Sequence, residues 1–586
     1  MSAYGFGPTL SADGVTFRLW APAARSVDLV TDRTERMQPQ PDGWHALTVA
    51  GARGGTRYQF RLDGALTVPD PASAFQPEDV IGPSEVVDHA AYRWQATEWR
   101  GRPWEEAVIL ELHVGTFTPQ GTFRAAIDKL AHVVDAGFTA IELMPVADFA
   151  GRRNWGYDGV LLYAPDSAYG RPDDLRALID AAHARGLMVF LDVVYNHFGP
   201  EGNFLGRYAP QFFEKGSTPW GQAIDYRVPQ VRAFAIENAL HWLERYRFDG
   251  LRLDAIHAIV ERGAPSVLAD MSRAAGALAQ REGRQIHLVV ENDDNSARLL
   301  DARSAVPAGK FRAQWNDDYH HAWHVLLTGE TQGYYADHAA TPLARVARVL
   351  GSGFDYQGER SPHRGGRKRG ERSGELSPLA FINFLQNHDQ VGNRALGERI
   401  DALADAPMIE AALAIMLLAP MPPMMFMGEE WGATTPFPFF CDFKGALADA
   451  VRKGRRAEFK EAYARYGDAV PDPLAEKTFR AAALDWREPQ GGAGAKRLAL
   501  VRDLLEVRRQ KLVPLLAALR FDPHATRARG TLLRAEWTHP HTRLRLLANL
   551  SEGTWRRPDD WTNGTPIWGG EPGVTLPPWS VFWSVG

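Results

Sequence analysis

The chain has 586 residues, 45% hydrophobic and 23% charged, a composition that builds at least one large buried core and excludes a disordered polymer. With 66 basic against 71 acidic residues the net charge is −5, so no basic surplus draws the molecule onto polyphosphate and nucleic acid is not expected as a partner. The single cysteine, Cys441, cannot form an intramolecular disulfide, the opening MSAYGFGPTLSADG has no charged or apolar leader region, and the longest apolar stretch, AALAIMLLAPMPPMMFM, is cut by prolines, so cytoplasmic residence and no membrane partner are expected.

The alternation of Val15, Phe17 and Leu19 within VTFRLWAPAARSVDLV, repeated by Tyr58, Phe60 and Leu62, predicts short strands. These make an N-terminal immunoglobulin-like β-sandwich over residues 1–90, ending near the proline-rich TVPDPASAFQPEDVIGP. From about residue 106, apolar runs alternate with helical patterns. AVILELHVGTF reads as a buried strand; Thr122 then caps a helix whose Phe123, Ile127, Leu130 and Val134 share a face and which Gly137 stops. FTAIELMPV is the next strand. Asp173 and Asp174 open a helix with Leu175, Leu178, Ile179 and Ala182 on its apolar stripe, Gly186 closes it, and LMVFLDVVYNH is the third strand. GLRLDAI, HLVVEND, FRAQWND, AFINFLQNHD and MPPMMFMGEEWG are five further apolar runs, making eight.

Near-continuous apolar strands joined by helices predict a parallel sheet covered on both faces, and eight such units predict a (β/α)8 TIM barrel over residues 91–520. The rival, an open doubly wound sheet, would carry a phosphate-binding glycine loop after its first strand, and VGTFTPQGTF is a poor one. Asn196, Asp254, Glu291 and Asp389 all fall at the C-terminal ends of their runs, where barrel active sites gather. Residues 198–228, long, aromatic and rich in glycine and proline, read as an excursion over the barrel mouth. Residues 355–378 hold a second excursion with the basic run GERSPHRGGRKRGERSG, which could contact an anion but reads more simply as a solvated, flexible loop. After the helical RLALVRDLLEVRRQKLVPLLAAL, the runs TLLRAEW, RLRLLANL and SVFWSVG return to alternation and predict a C-terminal antiparallel β domain over 521–586.

Arg252 and Asp254, two apart on a strand, face the same way, and the arginine supplies the counter-charge that an ionised, nucleophilic aspartate needs. A purely structural buried ion pair is the competing reading. Glu291 follows LVV, so its carboxyl starts from an apolar wall that favours the protonated form a general acid uses. Asp389 ends FLQNHD beside His388. Three acids on strand ends could hold a hard cation, although Arg252 would repel it. One carboxylate kept ionised and another biased toward protonation is the division of labour of glycosidic bond cleavage. The chain contains no GxSxG, P-loop, HExxH or CxxC. The cluster His320, His321 and His324 has one pair at i, i+4 spacing, for which a helix face near the mouth is the simpler reading than zinc.

Four stretches, DVVYNH, GLRLDAIHA, VVEND and FLQNHD, in this order, resemble the signature regions of glycoside hydrolase family 13, the α-amylase family. FRLWAPAARSVDLV resembles the N-terminal sandwich of its glycogen-branching, debranching and trehalose-releasing members. GLRLDAIHAI, AQWNDDYHHAWHVLLTGETQGYYADH and MPPMMFMGEEWGATTPFPFF narrow the resemblance to the trehalose-releasing group. The resemblance implies Asp254 as nucleophile, Glu291 as general acid/base and Asp389 as the residue that stabilises the transition state. It implies that Arg252 holds the nucleophile, that His197 and His388 grip hydroxyls of the ring being cleaved, that Tyr157 is its stacking platform, and that Asp192 and Asn196 shape the site. The substrate implied is an oligosaccharide, a maltodextrin ending in trehalose. A glycogen branching enzyme with the same catalytic residues is the alternative, and a catalytically silent glucan-binding barrel a more distant one. Many α-amylases carry Lys-His after the nucleophile, where this chain has His257 and Ala258, which alters the leaving-group side. Asp293, in the polar step after Glu291, is expected to hydrogen-bond the extra glucose. Calcium is bound by many relatives, but no complete ligand set is visible here, and neither metal nor organic cofactor is expected.

Overall fold

The computed structural model describes residues 4–259, 266–303, 308–562 and 564–586. The eight apolar runs form eight strands of one parallel sheet: β1 (Ile109–Leu112), β2 (Ala140–Leu143), β3 (Met188–Val193), β4 (Gly250–Leu253), β5 (His287–Val290), β6 (Ala313–Trp315), β7 (Phe381–Ile382) and β8 (Met424–Phe426). Neighbours follow chain order from β1 to β7, and β8 pairs with β1. A parallel bridge between Asn383, just past β7, and Pro423, just before β8, closes the ring: the Asn383 amide donates to Pro422 O at 3.0 Å and the Met424 amide to Asn383 O at 2.9 Å. Every residue of these strands is buried, as expected where helices cover the outside and side chains fill the inside.

Local signals set the covering helices. The helix Pro172–His183 buries Leu175, Leu178, Ile179 and Ala182 completely. The helix expected from Thr122 to Gly137 is instead two, Phe123–Ile127 and Leu130–Ala136. Thr122 caps the first by accepting the Ala125 amide at 3.2 Å, and Gly137 ends the second at φ +101°, as predicted. The break at Asp128 and Lys129 rotates the following turn, so Val133 is buried and Val134, expected on the apolar face, is 37% exposed.

Val15, Phe17 and Leu19 of strand Gly14–Trp20 and Tyr58, Phe60 and Leu62 of strand Arg57–Leu62 belong to two different sheets. They meet face to face, with the Phe17 and Tyr58 rings 4.7 Å apart. Phe6 packs on Phe234, and the Ala23 amide donates to Tyr208 O at 2.9 Å, seating this sandwich against the excursion after β3 and the helix Pro229–Leu240. At the other end of the chain an antiparallel sheet carries Leu532–Thr538, Arg543–Asn549 and Ser580–Val585. Trp537 and Trp583 stack 5.5 Å apart there, and their indole N–H groups donate to Leu350 O and Ala414 O, which fastens the sheet to two barrel helices. No helix among the described residues is long and apolar enough to cross a membrane.

Candidate active site

The parallel ladder runs one residue beyond the strands that carry the acids. The Asp254 amide donates to Val193 O and the Glu291 amide to Leu253 O, both at 3.0 Å, so both side chains leave the rim in register. Arg252, on β4 and fully buried, is the hub: its guanidinium donates to Asp192 Oδ2 at 2.6 Å, Asp254 Oδ1 at 2.9 Å and Glu291 Oε2 at 2.8 Å. Its flat face lies 4.0 Å from the centre of the Trp315 ring on β6. Acids from three adjacent strands thus share one cation, and deleting a partner from such a buried cluster typically costs about 3–5 kcal/mol because a charge is stranded.

Asp254 has both oxygens engaged, since Asn196 Nδ2 donates to Oδ2 at 2.9 Å. The next residue, Ala255, has φ +39°, a left-handed conformation that a Cβ-bearing residue adopts at a cost. That turn aims the Ala255 amide at Glu291 Oε2, 2.9 Å away. Burial nevertheless pushes the Glu291 carboxyl above its ordinary range, with Asp254 adding to the rise and Arg252 opposing it. Burial likewise raises Asp389, against the pull of His388, and pushes Asp192 up to about 7 against the pull of Arg252. Asp389 sits in a short helix whose cap, Asn387, accepts its amide at 3.0 Å.

His388 is held from β1, where Glu111 Oε1 pairs with its Nδ1 and Glu111 Oε2 accepts its amide at 3.1 Å. Burial would lower the imidazole, but Asp389 and Glu111 together raise it to about 9, so it is a cation at neutral pH. Tyr157 stacks on it, ring centres 5.0 Å apart, and donates to Asp192 Oδ2 at 2.6 Å. His197 pairs through Nδ1 with Asn196 Oδ1 at 2.5 Å, and burial lowers its pKa, leaving it neutral. Asp192, Asn196, Asp254 and Glu291 therefore meet on Arg252 directly or at one remove, with Tyr157, His197, His388 and Asp389 around them.

His257 and Asp293 stand together on the rim, the Asp293 amide donating to His257 Nδ1 at 3.3 Å. The basic excursion of residues 355–378, read from sequence as a solvated, flexible loop, is instead folded over this edge and pinned to it. Arg364 pairs with Asp293 and, at 2.9 Å, with Asp294; Arg369 reaches Asp293 at 3.2 Å and the buried Asp318 at 2.5 Å. The acids after Glu291 supply the anions this run was expected to lack. Both carboxylate oxygens of Asp293 therefore face arginines, which hold its pKa below the ordinary range despite burial. The excursion after β3 contributes Trp220, half exposed between strands Phe213–Ser217 and Gln222–Ile224, which stacks on His197 at 6.0 Å.

Sequence reasoning missed Glu111, Trp315, Trp220, Arg364 and Arg369. Glu111 had a signal: an acid in the middle of the apolar run VILEL requires a buried partner. The arginines did not, because their partners lie 51 to 76 residues away. Two of the three histidines on the helix Asp317–Thr328 are occupied by hydrogen bonds: His320 contacts Leu385 O and the Tyr335 hydroxyl, and His324 contacts Glu330, while Nδ1 of His321 has no partner among the described residues. Asp318, His321 and His338 bring ligand-type atoms within 4.8 Å of one another, but Arg369 already provides the positive charge at Asp318.

Two family models match the chain: the alpha amylase catalytic domain over residues 93–210, and carbohydrate-binding module 48, the isoamylase N-terminal domain, over residues 5–73. The malto-oligosyltrehalose trehalohydrolase of Deinococcus radiodurans is 42% identical over 508 residues, covering 86% of this chain and 83% of that relative. The chain belongs to the malto-oligosyltrehalose trehalohydrolase family. Another member, from Brevibacterium helvolum, is 37% identical over 96% of this chain and 98% of its own length, so the family likeness takes in both flanking β regions. A crystal structure of a Salmonella typhimurium protein assigned to the alpha amylases superimposes over the full length of both chains with a TM-score of 0.94 at 46% identity.

Proposed function

We propose that this chain hydrolyses the α-1,4-glucosidic bond joining a maltodextrin to a terminal trehalose unit, releasing trehalose by double displacement with retention. Glu291 gives its proton to the glycosidic oxygen as Asp254 attacks the anomeric carbon, and trehalose leaves. Water then attacks the glycosyl ester, with Glu291 now the base, and maltodextrin departs. Asp389 stabilises the oxocarbenium-like transition state, cationic His388 and neutral His197 hold ring hydroxyls, and Tyr157 stacks against the sugar. Asp192 and Asn196 keep Arg252 and Asp254 in place, and His257 and Asp293 line the leaving-group edge.

The observation that carries this reading is the single guanidinium joining Asp254 to Glu291. It supports a close pair of carboxyls, about 5 to 5.5 Å apart in retaining enzymes, each held by two donors, with Glu291 biased by burial toward its protonated form. The trehalose end of the substrate is supported by the family membership. We further propose residues 1–90, 91–520 and 521–586 as the sandwich, the catalytic barrel and the C-terminal domain, acting in the cytoplasm. Product analysis tests the reading: incubation with a trehalose-ended malto-oligosaccharide yields free trehalose, whereas new branch points formed from amylose would identify a branching transferase instead.

A further inference from the structure

Two consecutive acids open the helix that follows β6, and they have opposite surroundings. Asp318 is fully buried and saturated: Oδ1 faces Arg369, while Oδ2 accepts from Asn295 Nδ2 at 2.9 Å and from the amides of Asp355 and Tyr356 at 2.8 and 3.0 Å. It ties the helix to the excursion of residues 355–378. Asp317 is half-buried and, among the described residues, its carboxyl makes no hydrogen bond or ion pair. Neither of its oxygens is sealed inside protein.

Its position is set by the barrel. β6 lies between β5, which delivers Glu291, and β7, which leads to Asp389. The residue before Asp317 is locked, because Asn316 donates to Asn383 Oδ1 at 2.9 Å and to Gly353 O at 3.2 Å. The charged groups that act on Asp317 are Glu291, Asp293, Arg369 and Asp389, which places it among the site acids. Of the two acids near Glu291 that could recognise a sugar on this edge, Asp293 is occupied by two arginines and Asp317 is not.

We propose that Asp317 is a specificity-determining residue, whose carboxyl exchanges hydrogen bonds with a hydroxyl of the departing trehalose unit. The inference rests on the trehalose-releasing reading above. The sugar that leaves is the one whose glycosidic oxygen receives the Glu291 proton, so it departs on the side where Glu291 and Asp317 are neighbours. Burial, reinforced by Glu291 and Asp293, holds the Asp317 carboxyl well above the ordinary range. The neutral form offers both an O–H donor and a C=O acceptor, which matches the paired donor and acceptor character of sugar hydroxyls.

The test compares kcat/KM for a trehalose-ended malto-oligosaccharide with that for a plain malto-oligosaccharide of equal length. Trehalose release by the unaltered protein checks the underlying reading first and separately. Asp317→Ala is expected to lower the ratio of the two values about 10- to 100-fold, chiefly through KM, the scale of one lost hydroxyl contact. Asp317→Asn keeps a donor and an acceptor in the same shape and is expected to restore the ratio to within about fivefold of the unaltered protein. A ratio in Asp317→Ala that falls by less than about fivefold, or a loss not restored by Asp317→Asn in a protein of unchanged melting temperature, would overturn the proposal.

Discussion

Two arginines at opposite ends of the barrel are buried to the same degree and do different things. Arg508 is 1% exposed at the foot, where it donates to the carbonyls of Leu417, Ala419 and Met421, which close the helix Ala406–Leu418 and lead into β8. Among the described residues it meets no carboxylate there, and burial pushes it down to about 9. Arg252 is equally buried at the mouth but is surrounded by Asp192, Asp254 and Glu291, which raise it. Burial by itself therefore says nothing about role. Arg508 satisfies backbone acceptors at a helix C-terminus, a structural duty, whereas Arg252 gathers three acidic side chains at the mouth, where the proposed chemistry takes place.

The sharpest way to break this contrast is at the mouth itself. Asp254→Asn leaves the shape of the hub intact and is expected to lower kcat by about 10⁴-fold or more, with a melting temperature within a few degrees of the unaltered protein. Steady-state rates and calorimetry on the same preparation check it. A loss of stability without loss of rate would make the Arg252 cluster merely structural.

Exchanging the two arginines for methionine compares the ends directly. Arg252→Met is expected to cost about 3–5 kcal/mol of stability and at least about 10³-fold in kcat, because three acids lose their shared cation. Arg508→Met is expected to cost about 1–3 kcal/mol for each carbonyl left without a donor, with kcat within about threefold. Denaturant unfolding alongside kinetics separates them, and equal kinetic losses would erase the distinction.

The titration of the mouth sharpens it further. Folding raises His388 from an ordinary 6.5 to about 9, so the bound proton contributes stability that is complete below pH 6.5 and is lost as pH rises through about 9, a few kcal/mol in all. Unfolding free energy measured from pH 6 to 10 is expected to fall over that window, and to fall less in His388→Asn. On the same axis, the raised Glu291 places the alkaline limb of kcat/KM above the pH expected of an ordinary glutamic acid, because activity is lost as the general acid gives up its proton. The smallest effect is at the rim. Arg364→Ala releases one side of a half-exposed latch on Asp293 and is expected to raise KM about fivefold, with kcat nearly unchanged.

Much of this was legible in the chain because the barrel's grammar is local. A run such as LMVFLDVV is apolar on both faces, a helix must cover it, and the polar residue that ends it points to the mouth. Asp254 and Glu291 could be picked out as strand-end acids from that alone, whereas Asp389 lies beyond β7 in the short helix His388–Gly392, and the roles expected of all three came from the family resemblance. Glu111 was readable in principle and passed over, since nothing beside it in sequence says that His388, 277 residues later, is its partner. Val134 was misplaced because a two-residue break in a helix is invisible to a periodicity that assumes none.

Residue order by itself determined the eight strands, their covering helices and the acids at their ends, since these follow from hydrophobic spacing and turn chemistry acting over a few residues. Only the tertiary structure decided that Asp192, Asp254 and Glu291 share one guanidinium, that the basic run of residues 355–378 is a clamp on Asp293 and Asp318, and that Asp317 alone of two adjacent aspartates is left open. Those outcomes depend on burial and on charges brought close by chain closure, and electrostatic energy depends on distance through space, which sequence separation does not measure.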